Sequence, residues 1–536
     1  MRSLLTSIIT VLTITGLQAQ TPSQLTTPKL VVGLTVDQLR TDYIEAFSSL
    51  YGEKGFKRLW KDGRVYRNAE FGFSNPDRAS SVAALYTGTV PTVNGITGED
   101  WLDISTLRIK NCVDDRNFMG NYTTETTSAS QLMVSTVADE LKVATQGKGL
   151  VYSIAPYREA AIFGAGHAGN GAFWLNDDTG KWCGSTYYND FPWFVSQYND
   201  RKAIDFRISG MVWTPTRPVA DYKYLTSQFA QETFSYNFDE AKKSKFRKLK
   251  TSPFINEEIN NFLLDILANS TMGQDETPDL LSLTYYAGNY DHKSAKECAL
   301  EMQDTYVRLD KSIGELLDII DKKVGLNNVL FCINSTGYVD AEGPELERYR
   351  IPGGEFYLDR CAALLNMYLM AVYGEGQYIE AHNDLQLYLN HKLIEKKQLN
   401  LNDVLAKASD FLIQFSGVKE VYSSYRLLQG AWTPELQKMR NSYNRNRSGD
   451  LTLEILPGWT VVNSDSPSES KVVRKAYVPS PLIFLGGNVK PEIINTPVNI
   501  DCFAPTIARS MRIRAPNGCS SAPLANILSK KTAGYN

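Results

Sequence analysis

The sequence predicts an α/β protein with a central, mostly parallel β-sheet flanked by helices and interrupted by inserted cap subdomains. Short apolar runs that end in polar turns are typical of buried parallel strands. Amphipathic helices lie between these runs, and this alternation of strand and helix indicates a parallel sheet. Functional groups in such sheets collect where the strands end, so the residues that follow each strand are the candidates for a site.

Five apolar runs carry the predicted sheet. They are Lys29–Arg40, Gly149–Ala155, Asp279–Ala287, Val329–Asp340 and Ser480–Gly487. The first run delivers Asp37 to the carboxyl end of its strand. Helices are predicted at Ala79–Gly88, where Ser80 or Ser81 could form the N-cap, at Ser135–Gln146 and at Asp304–Val324.

Two stretches break the alternation of strands and helices. Residues 185–275 and 341–475 are too long to be loops, so we expect them to be a first and a second cap insertion. The core would then consist of residues 20–184, 276–340 and 476–536. These segments together are long enough to form one domain with a large hydrophobic core.

The first 19 residues are typical of a secretory signal peptide that is cut between Ala19 and Gln20. They contain one Arg, an apolar run to about Gly16, and small or polar residues after it. This run is too short to span a bilayer, and no later segment has about 18 uninterrupted apolar residues. We therefore expect a mature protein without a membrane span, located in the periplasm, secreted, or associated with the outer membrane.

Composition indicates an ordinary globular protein, with 43% apolar and 21% charged residues and a net charge of −3. This balance gives no indication of nucleic acid as a partner. The basic run Lys242–Lys250 is predicted to be a solvated surface segment. None of the seven cysteines lies in a C-x-x-C pair, which argues against a zinc ribbon, while Cys502 and Cys519 could form a disulfide.

Several stretches, taken in their order along the chain, match one known family. They read LVVGLTVDQLRTDY, AALYTGTVPTVNGITGEDW, REAAIFGAGHAGNGAFWLNDDTGKWCGSTYY, DTYVRLDKSIGELLDIIDKKVG, YNRNRSGDLTLEILPGW and APTIARSMRIRAPNG. The chain resembles the alkaline phosphatase superfamily. More narrowly, it resembles the monomeric periplasmic alkaline phosphatases of Bacteroidetes-type bacteria that use a threonine nucleophile. The likeness runs from about Leu30 to Leu524 and implies the fold of that superfamily.

The resemblance implies phosphate-ester hydrolysis with two zinc ions that Asp and His side chains hold. The ions stabilise the attacking and leaving oxygens, while an Asn and a Lys-x-Arg pair bind the phosphoryl oxygens. Such a site needs three histidine ligands. This chain has four histidines, and only His292 lies near a ligand segment, whereas His167, His382 and His391 do not. Carboxylates alone would hold zinc weakly.

The resemblance assigns each motif position of the family to a residue of this chain. Asp37 keeps the first metal-ligand position, and Arg158 keeps the second half of the Lys-x-Arg pair, whose first half is Pro156. The nucleophile position falls on Arg78, which cannot attack phosphorus, and the phosphate-binding Asn falls on Glu99, whose charge would repel phosphate. The remaining metal-ligand positions fall on Asn289, Lys293, Ser335, Thr336 and Ser470.

These positions predict a catalytically inactive pseudophosphatase with a vestigial pocket, no catalytic residues, no metal ligands and no cofactor. Such a protein would act as an exported binding or scaffold module in the cell envelope, with an envelope protein as its partner. A further hypothesis concerns the positive charge that Arg78 brings to the pocket. Arg78 would lie near Asp37 or Glu99 and supply the positive charge that a metal would give, or else it would point into solvent.

Two alternatives stay open. The first is an active phosphate- or sulfate-ester hydrolase with a rearranged site that contains Asp37, Ser80 or Ser81, and Arg158. Asp291 and His292 would complete that site, and a single zinc ion could be held weakly by Asp37, Asp291 and His292. The second alternative is a non-catalytic receptor for anions or glycans that binds them through Arg158.

Overall fold

The computed structural model describes residues 27–188, 191–225, 233–294, 296–340, 353–430, 433–462, 471–472, 478–525 and 527. The predicted signal peptide and Ser470 lie outside the described residues. Within the described residues, no helix is both long and apolar enough to cross a membrane.

A ten-stranded mixed sheet forms the centre of the described chain. In chain order its strands are β1 (Leu30–Asp37), β2 (Arg64–Tyr66), β3 (Gly120–Asn121), β4 (Val151–Ala155), β5 (Gly171–Leu175), β6 (Trp182–Ser185), β7 (Asp279–Tyr286), β8 (Val329–Ser335), β9 (Leu482–Gly486) and β10 (Glu492–Ile494). Across the sheet they follow the order β10-β2-β9-β8-β1-β7-β4-β5-β6-β3. The adjacent strands β8, β1, β7, β4 and β5 run parallel, which confirms the predicted fold class.

The register of the central strands determines which residues meet at the carboxyl edge of the sheet. Asp37 of β1 pairs with Tyr286 of β7, and Val36 pairs with Ser335 of β8. The loop that follows Ser335 therefore begins beside Asp37. This edge is where open α/β sheets place their ligands.

Helices cover both faces of the sheet. On one face, Leu263 of helix Phe254–Ala268 and Leu309 of helix Ala299–Lys323 share a buried cluster with Val32 and Leu34. On the other face, a second cluster unites β1 with the helices Arg78–Thr87, Val137–Ala144, Arg158–Ala165 and Phe503–Ser510. The remaining core elements are helices Thr41–Ala46, Phe56–Asp62 and Pro91–Asn94, and the strand pairs Ala69–Glu70 with Val498–Asn499 and Asp100–Asp103 with Arg108–Asn111.

The stretches predicted to be insertions pack in different ways. The first contains helices Trp193–Arg201, Lys245–Lys250 and Phe254–Ala268 and the strand pair Val212–Trp213 with Tyr236–Asn237. Its Phe262 stacks on Trp182 of β6 with ring centroids 4.4 Å apart, so it shares the core of the sheet. The second has a separate hydrophobic core that includes Leu365, Leu405 and Leu453. The limits of both insertions stay predictions.

The second stretch also has sheets of its own. A four-stranded sheet runs in the order Ile379–Asn383, Gln386–Leu389, Leu451–Ile455 and Val418–Ser423, and a smaller one joins Glu355–Tyr357, Thr460–Val462 and Lys471–Val472. The helices of its described residues are Leu358–Tyr373, His391–Lys396, Leu401–Leu412, Ser424–Gln429 and Pro434–Ser442.

Two local predictions differ from the structure. The basic run was predicted to be solvated, but Lys250 is buried, forms an ion pair with Asp177 and lies over the ring of Tyr157. Cys502 and Cys519 form no disulfide, and none of the seven cysteines of the chain is disulfide-bonded.

Candidate functional site

Arg78 lies at the carboxyl edge of the sheet in a buried cluster of opposite charges. Its Nε donates to Asp37 Oδ2 at 2.8 Å, and its Nη1 donates to Glu159 Oε1 at 2.8 Å. The side chains of Arg78, Asp37 and Glu159 are 8%, 2% and 3% exposed. The hypothesis that Arg78 pairs with Asp37 is therefore confirmed, and the solvent-facing alternative is wrong.

The helix that carries Arg78 begins at a strong local signal. Asp77 is its N-cap, because the Asp77 side chain accepts from Ser80 N while the Ser80 hydroxyl accepts from Asp77 N. This capping box directs Arg78, the first residue of the helix, towards β1. The prediction of Ser80 or Ser81 as the N-cap is wrong. The N-cap is Asp77, three or four residues earlier in the chain.

The surroundings of Arg78 keep it charged. Burial lowers the pKa of its guanidinium, but the opposing effects of Tyr338, Asp37 and Glu159 raise that pKa well above its ordinary value. The guanidinium also lies 3.6 Å from the ring centroid of Tyr157, a separation at which cation–π attraction is strong. Arg78 is thus a permanent cation that the side chains of Asp37, Glu159 and Tyr157 hold in place.

Glu99 stands at the solvent side of this cluster. Its Oε2 is 3.8 Å from Arg78 Nη1, and its side chain is 44% exposed. The Glu99 backbone N–H donates to Asp77 Oδ2, so the residue that caps the Arg78 helix also anchors Glu99. The charge of Glu159, together with burial, raises the pKa of Glu99 to about 8. Glu99 can therefore gain and lose a proton near neutral pH.

The hydroxyl groups of the edge are engaged in hydrogen bonds. Thr336 Oγ1 donates to Asp37 Oδ1 at 2.8 Å, and Ser335 Oγ donates to the Leu39 carbonyl at 2.8 Å. Ser81 Oγ donates to the Thr336 carbonyl at 2.7 Å. Ser80 and Ser81 are fully buried, so neither hydroxyl is open to a substrate in this arrangement.

Arg158 lies at a more open part of the same edge. Its Nη1 is 2.8 Å from Asp114 Oδ1, and its Nε is 3.6 Å from Glu125 Oε1. Asp114 and Glu125 are 42% and 43% exposed, whereas Arg158 is 16% exposed. Its guanidinium is held by carboxylates that water reaches, and an anion could compete with them.

The polar groups of the segment after β7 pair with residues other than Arg78. Asn289 donates to the Lys293 carbonyl, and the Lys293 ammonium lies 5.1 Å from the ring centroid of Tyr236. Asp291 forms an ion pair with Lys248 at 3.1 Å, and His292 Nδ1 is 3.2 Å from Asp340 Oδ2. The hydrogen bond with Asp340 raises the pKa of His292 above its ordinary value.

These placements bear on the metal that the family resemblance implies. Zinc sites are built from Cys, His and carboxylate ligands that converge on one point. No three His, Cys, Asp or Glu side chains of the described residues are grouped so that they could hold a metal ion. Asp37, Asp291 and His292, proposed as weak ligands, instead pair with Arg78, Lys248 and Asp340. The residues that the structure describes therefore do not fit the implied pair of zinc ions.

Reasoning from motifs missed three members of the site. Glu159 and Tyr157 flank Arg158 in the sequence, and Asp77 precedes Arg78. The signal for Glu159 was a carboxylate in the helix REAAIFGA, which is otherwise apolar after its first residue. A charged residue in such a helix requires a partner of opposite charge when it is buried.

Comparisons with known proteins identify the family. Residues 31–477 match the family described as type I phosphodiesterase / nucleotide pyrophosphatase, and the chain belongs to this family. It is 29% identical to the alkaline phosphatase PafA of Elizabethkingia meningoseptica, with 98% of this chain and 99% of PafA covered. It is 27% identical to the alkaline phosphatase PhoV of Synechococcus elongatus over 95% of this chain and 94% of PhoV. A crystal structure of wild-type PafA superposes on this chain with a TM-score of 0.83 at 28% sequence identity. The superposition covers 94% of this chain and 100% of the PafA chain.

These matches confirm the resemblance and correct two predictions drawn from it. Near full-length relatives named as alkaline phosphatases contradict the catalytically inactive pseudophosphatase and favour its alternative, an active phosphate-ester hydrolase. They also contradict the prediction of no cofactor, because the resemblance associates this class of enzyme with zinc. Loss of the family's motif positions does not by itself imply loss of activity.

Proposed function

We propose that this chain hydrolyses phosphate esters at the carboxyl edge of its sheet, in a site rearranged around Arg78 and Glu99. The observation that carries the proposal is the similarity, over 98% of the chain, to a protein named alkaline phosphatase. The concentration of charged side chains at the end of β1 supports this location, because ligands of open α/β sheets bind outside the carboxyl ends of the strands.

Glu99 is the acid–base group of the proposed reaction. With a pKa of about 8 it is mostly protonated at neutral pH, so it can donate a proton to the leaving oxygen as the phosphorus–oxygen bond breaks. The attacking water forms the new phosphorus–oxygen bond and returns a proton to the glutamate. Glu99 is 44% exposed, whereas Asp37 and Glu159 are shielded from solvent, so a substrate meets Glu99 first.

Two arginines offset the charge of the phosphoryl group. Arg78 Nη1 is 3.8 Å from Glu99, which places a fixed cation beside the acid–base group. Arg158 exchanges its half-exposed partners Asp114 and Glu125 for phosphate oxygens, to which guanidinium groups bind in a bidentate manner. Water attacks, since the hydroxyls of Ser80 and Ser81 are buried and hydrogen-bonded.

The proposed enzyme works outside the cytoplasm. The first 19 residues have the composition of a signal peptide, which supports export to the periplasm or beyond. An envelope protein as partner also stays a proposal.

The test is release of phenolate from an activated aryl phosphate by the purified mature chain. We expect turnover by the wild-type protein and a fall of about 10²-fold or more in Glu99→Gln, since general acid–base groups contribute factors of this order. Glu53→Gln is the matched control, because Glu53 is 84% exposed and lies outside the edge of the sheet. Asp37→Ala should abolish turnover as well, since it removes the partner that orients Arg78.

Two outcomes count against the proposal. One is an absence of phenolate release above the buffer rate, with or without added divalent cations. The other is release that Glu99→Gln and Glu53→Gln support equally, because a contaminating phosphatase would give that result.

A further inference from the structure

The helix Leu358–Tyr373, in the second predicted insertion, is apolar on two sides. Its inner side packs into the separate hydrophobic core of that insertion. Its other side exposes Leu364, Met367 and Val372 at 43%, 57% and 39%. After Arg360 the helix contains no charged residue. A helix that is apolar all round is normally buried all round, so this side is exposed where its composition predicts a contact.

A second helix of the same insertion has the ordinary pattern. Helix Leu401–Leu412 exposes Asn402, Asp403 and Asp410 and buries its apolar side in the shared core. The exposed apolar side is therefore particular to Leu358–Tyr373. Contiguous apolar patches on the surface of a soluble protein mark interaction sites. The outer face, as we call this side, consists of Ala363, Leu364, Met367, Tyr368, Ala371 and Val372.

The outer face is complementary in size to a second copy of itself. Its residues repeat every four positions, so they follow one side of the helix. Consider two copies that lie antiparallel, with a twofold axis between residues 367 and 368. Leu364 of each copy then meets Ala371 of the other, and Ala363 meets Val372, so a large side chain faces a small one. An isologous interface requires this self-complementarity.

The same register is complementary in charge. Arg360 near the amino end of the helix and Glu375 just after its carboxyl end are both exposed. The antiparallel arrangement brings Arg360 of each copy to Glu375 of the other, and it also places the helix dipoles in opposite directions. At the centre, Met367 meets Tyr368, whose ring is held by stacking on Phe411 with centroids 4.5 Å apart.

We propose that the outer face is a homodimer interface, in which two copies of Leu358–Tyr373 pack antiparallel around Met367. A standard interface buries about 800 Å² per partner, and one side of a helix about 24 Å long offers less than that. The dimer is therefore weak and reversible, with a Kd in the micromolar range. The inference concerns self-association and does not depend on the proposed hydrolysis.

The experiment is sedimentation velocity of the purified mature chain from about 1 µM to about 500 µM. We expect the wild-type mass to rise from monomer to dimer across this series. Met367→Glu buries an unpaired carboxylate at the centre of the interface and should weaken self-association at least about tenfold. Leu264→Glu is the matched control, because Leu264 is 48% exposed on the helix Phe254–Ala268, outside the outer face. It should dimerise like wild type.

Charge reversal tests the register. Arg360→Glu and Glu375→Arg should each weaken the dimer, because like charges then meet at both ends of the paired helices. The double variant Arg360→Glu/Glu375→Arg should recover the association of wild type. Both residues are exposed, so the variants are expected to fold, and unchanged thermal melts would verify this.

Four results would overturn the proposal. The first is a wild-type chain that stays monomeric at about 500 µM. The second is equal weakening in Met367→Glu and Leu264→Glu, and the third is a double variant that does not recover. The fourth is a monomeric wild type that binds phosphatidylglycerol vesicles through Met367, which would assign the outer face to a membrane surface. None of these readouts involves ester turnover, so they are independent of the outcome for the proposed enzyme.

Discussion

Arg78 and Arg158 lie at the same edge of the sheet, and both are held by carboxylates, yet they differ in burial. The partners of Arg78, Asp37 and Glu159, are 2% and 3% exposed, whereas the Arg158 partners Asp114 and Glu125 are 42% and 43% exposed. Desolvated charges depend on each other completely, while solvated pairs contribute little. The first arginine is therefore fixed by the fold, and the second is free to exchange its partners.

The largest expected effect follows from the buried pair. Arg78→Ala leaves the carboxylates of Asp37 and Glu159 buried without their countercharge. Breaking a buried ion pair in this way typically costs about 3–5 kcal/mol. Urea denaturation in metal-free buffer should show a loss of this size in the free energy of unfolding. A loss below about 1 kcal/mol would mean that the cluster is wetter than the structure indicates.

A smaller effect is expected at the exposed arginine. Arg158→Ala removes ion pairs with half-exposed carboxylates, so we expect a loss of about 0–1 kcal/mol in the free energy of unfolding. Salt screens such pairs, so this loss should shrink in about 1 M NaCl, where the Debye length is near 3 Å, while that of Arg78→Ala persists. Equal salt sensitivity of the two variants in denaturation curves would remove the distinction between the arginines.

Most of the fold could be predicted from the sequence because periodic apolar runs report burial directly. The predicted strand Asp279–Ala287 is observed as Asp279–Tyr286, and the predicted helix Asp304–Val324 as Ala299–Lys323. The helix begins five residues earlier than predicted, because Ala299 to Gln303 are buried and the first predicted insertion donates hydrogen bonds from Tyr236 to Glu301 and from Tyr224 to Gln303. Element type followed from local pattern, whereas element ends depended on tertiary packing.

The site was harder to predict than the fold because its members come from distant segments. The pairing of Arg78 with Asp37 could be anticipated, since both occupy known motif positions near one strand end. Glu159 occupies no motif position, and a sequence does not show which cation a buried glutamate contacts. The prediction of an inactive protein was wrong for a related reason. The motif positions describe only one arrangement of the catalytic groups, and relatives that match nearly the whole chain are named alkaline phosphatases.

Glu99 connects the buried cluster with solvent, and its titration should show that connection. Its pKa of about 8 means that the folded state holds a proton which the unfolded chain releases at much lower pH. Stability must then fall as pH rises from the ordinary value of a glutamate towards about 8. Glu99→Gln should flatten this fall in a series of thermal melts, whereas Glu125→Gln, beside Arg158, should not. If stability falls with pH in Glu99→Gln as steeply as in wild type, the titration of Glu99 is not coupled to the buried cluster.

The smallest expected effect is a shift in the titration of His292. The hydrogen bond with Asp340 raises the pKa of His292, and the positive charge of Arg78 lowers it. The stability that this raised pKa confers is present at low pH and is lost as pH rises through the folded-state pKa. NMR titration should find the His292 pKa decreased in Asp340→Asn, further increased in Arg78→Ala, and unchanged in Arg158→Ala.

His391 is the internal control for this titration. Its hydrogen bond with Asp450 raises its pKa in the same way, far from the edge of the sheet. Asp340→Asn should leave His391 unchanged, and Asp450→Asn should lower the pKa of His391 alone. A shift of His292 in Arg158→Ala that matches the shift in Arg78→Ala would show that both arginines belong to one electrostatic unit. The difference in burial between Arg78 and Arg158 would then not change the positive charge that a substrate meets at the site.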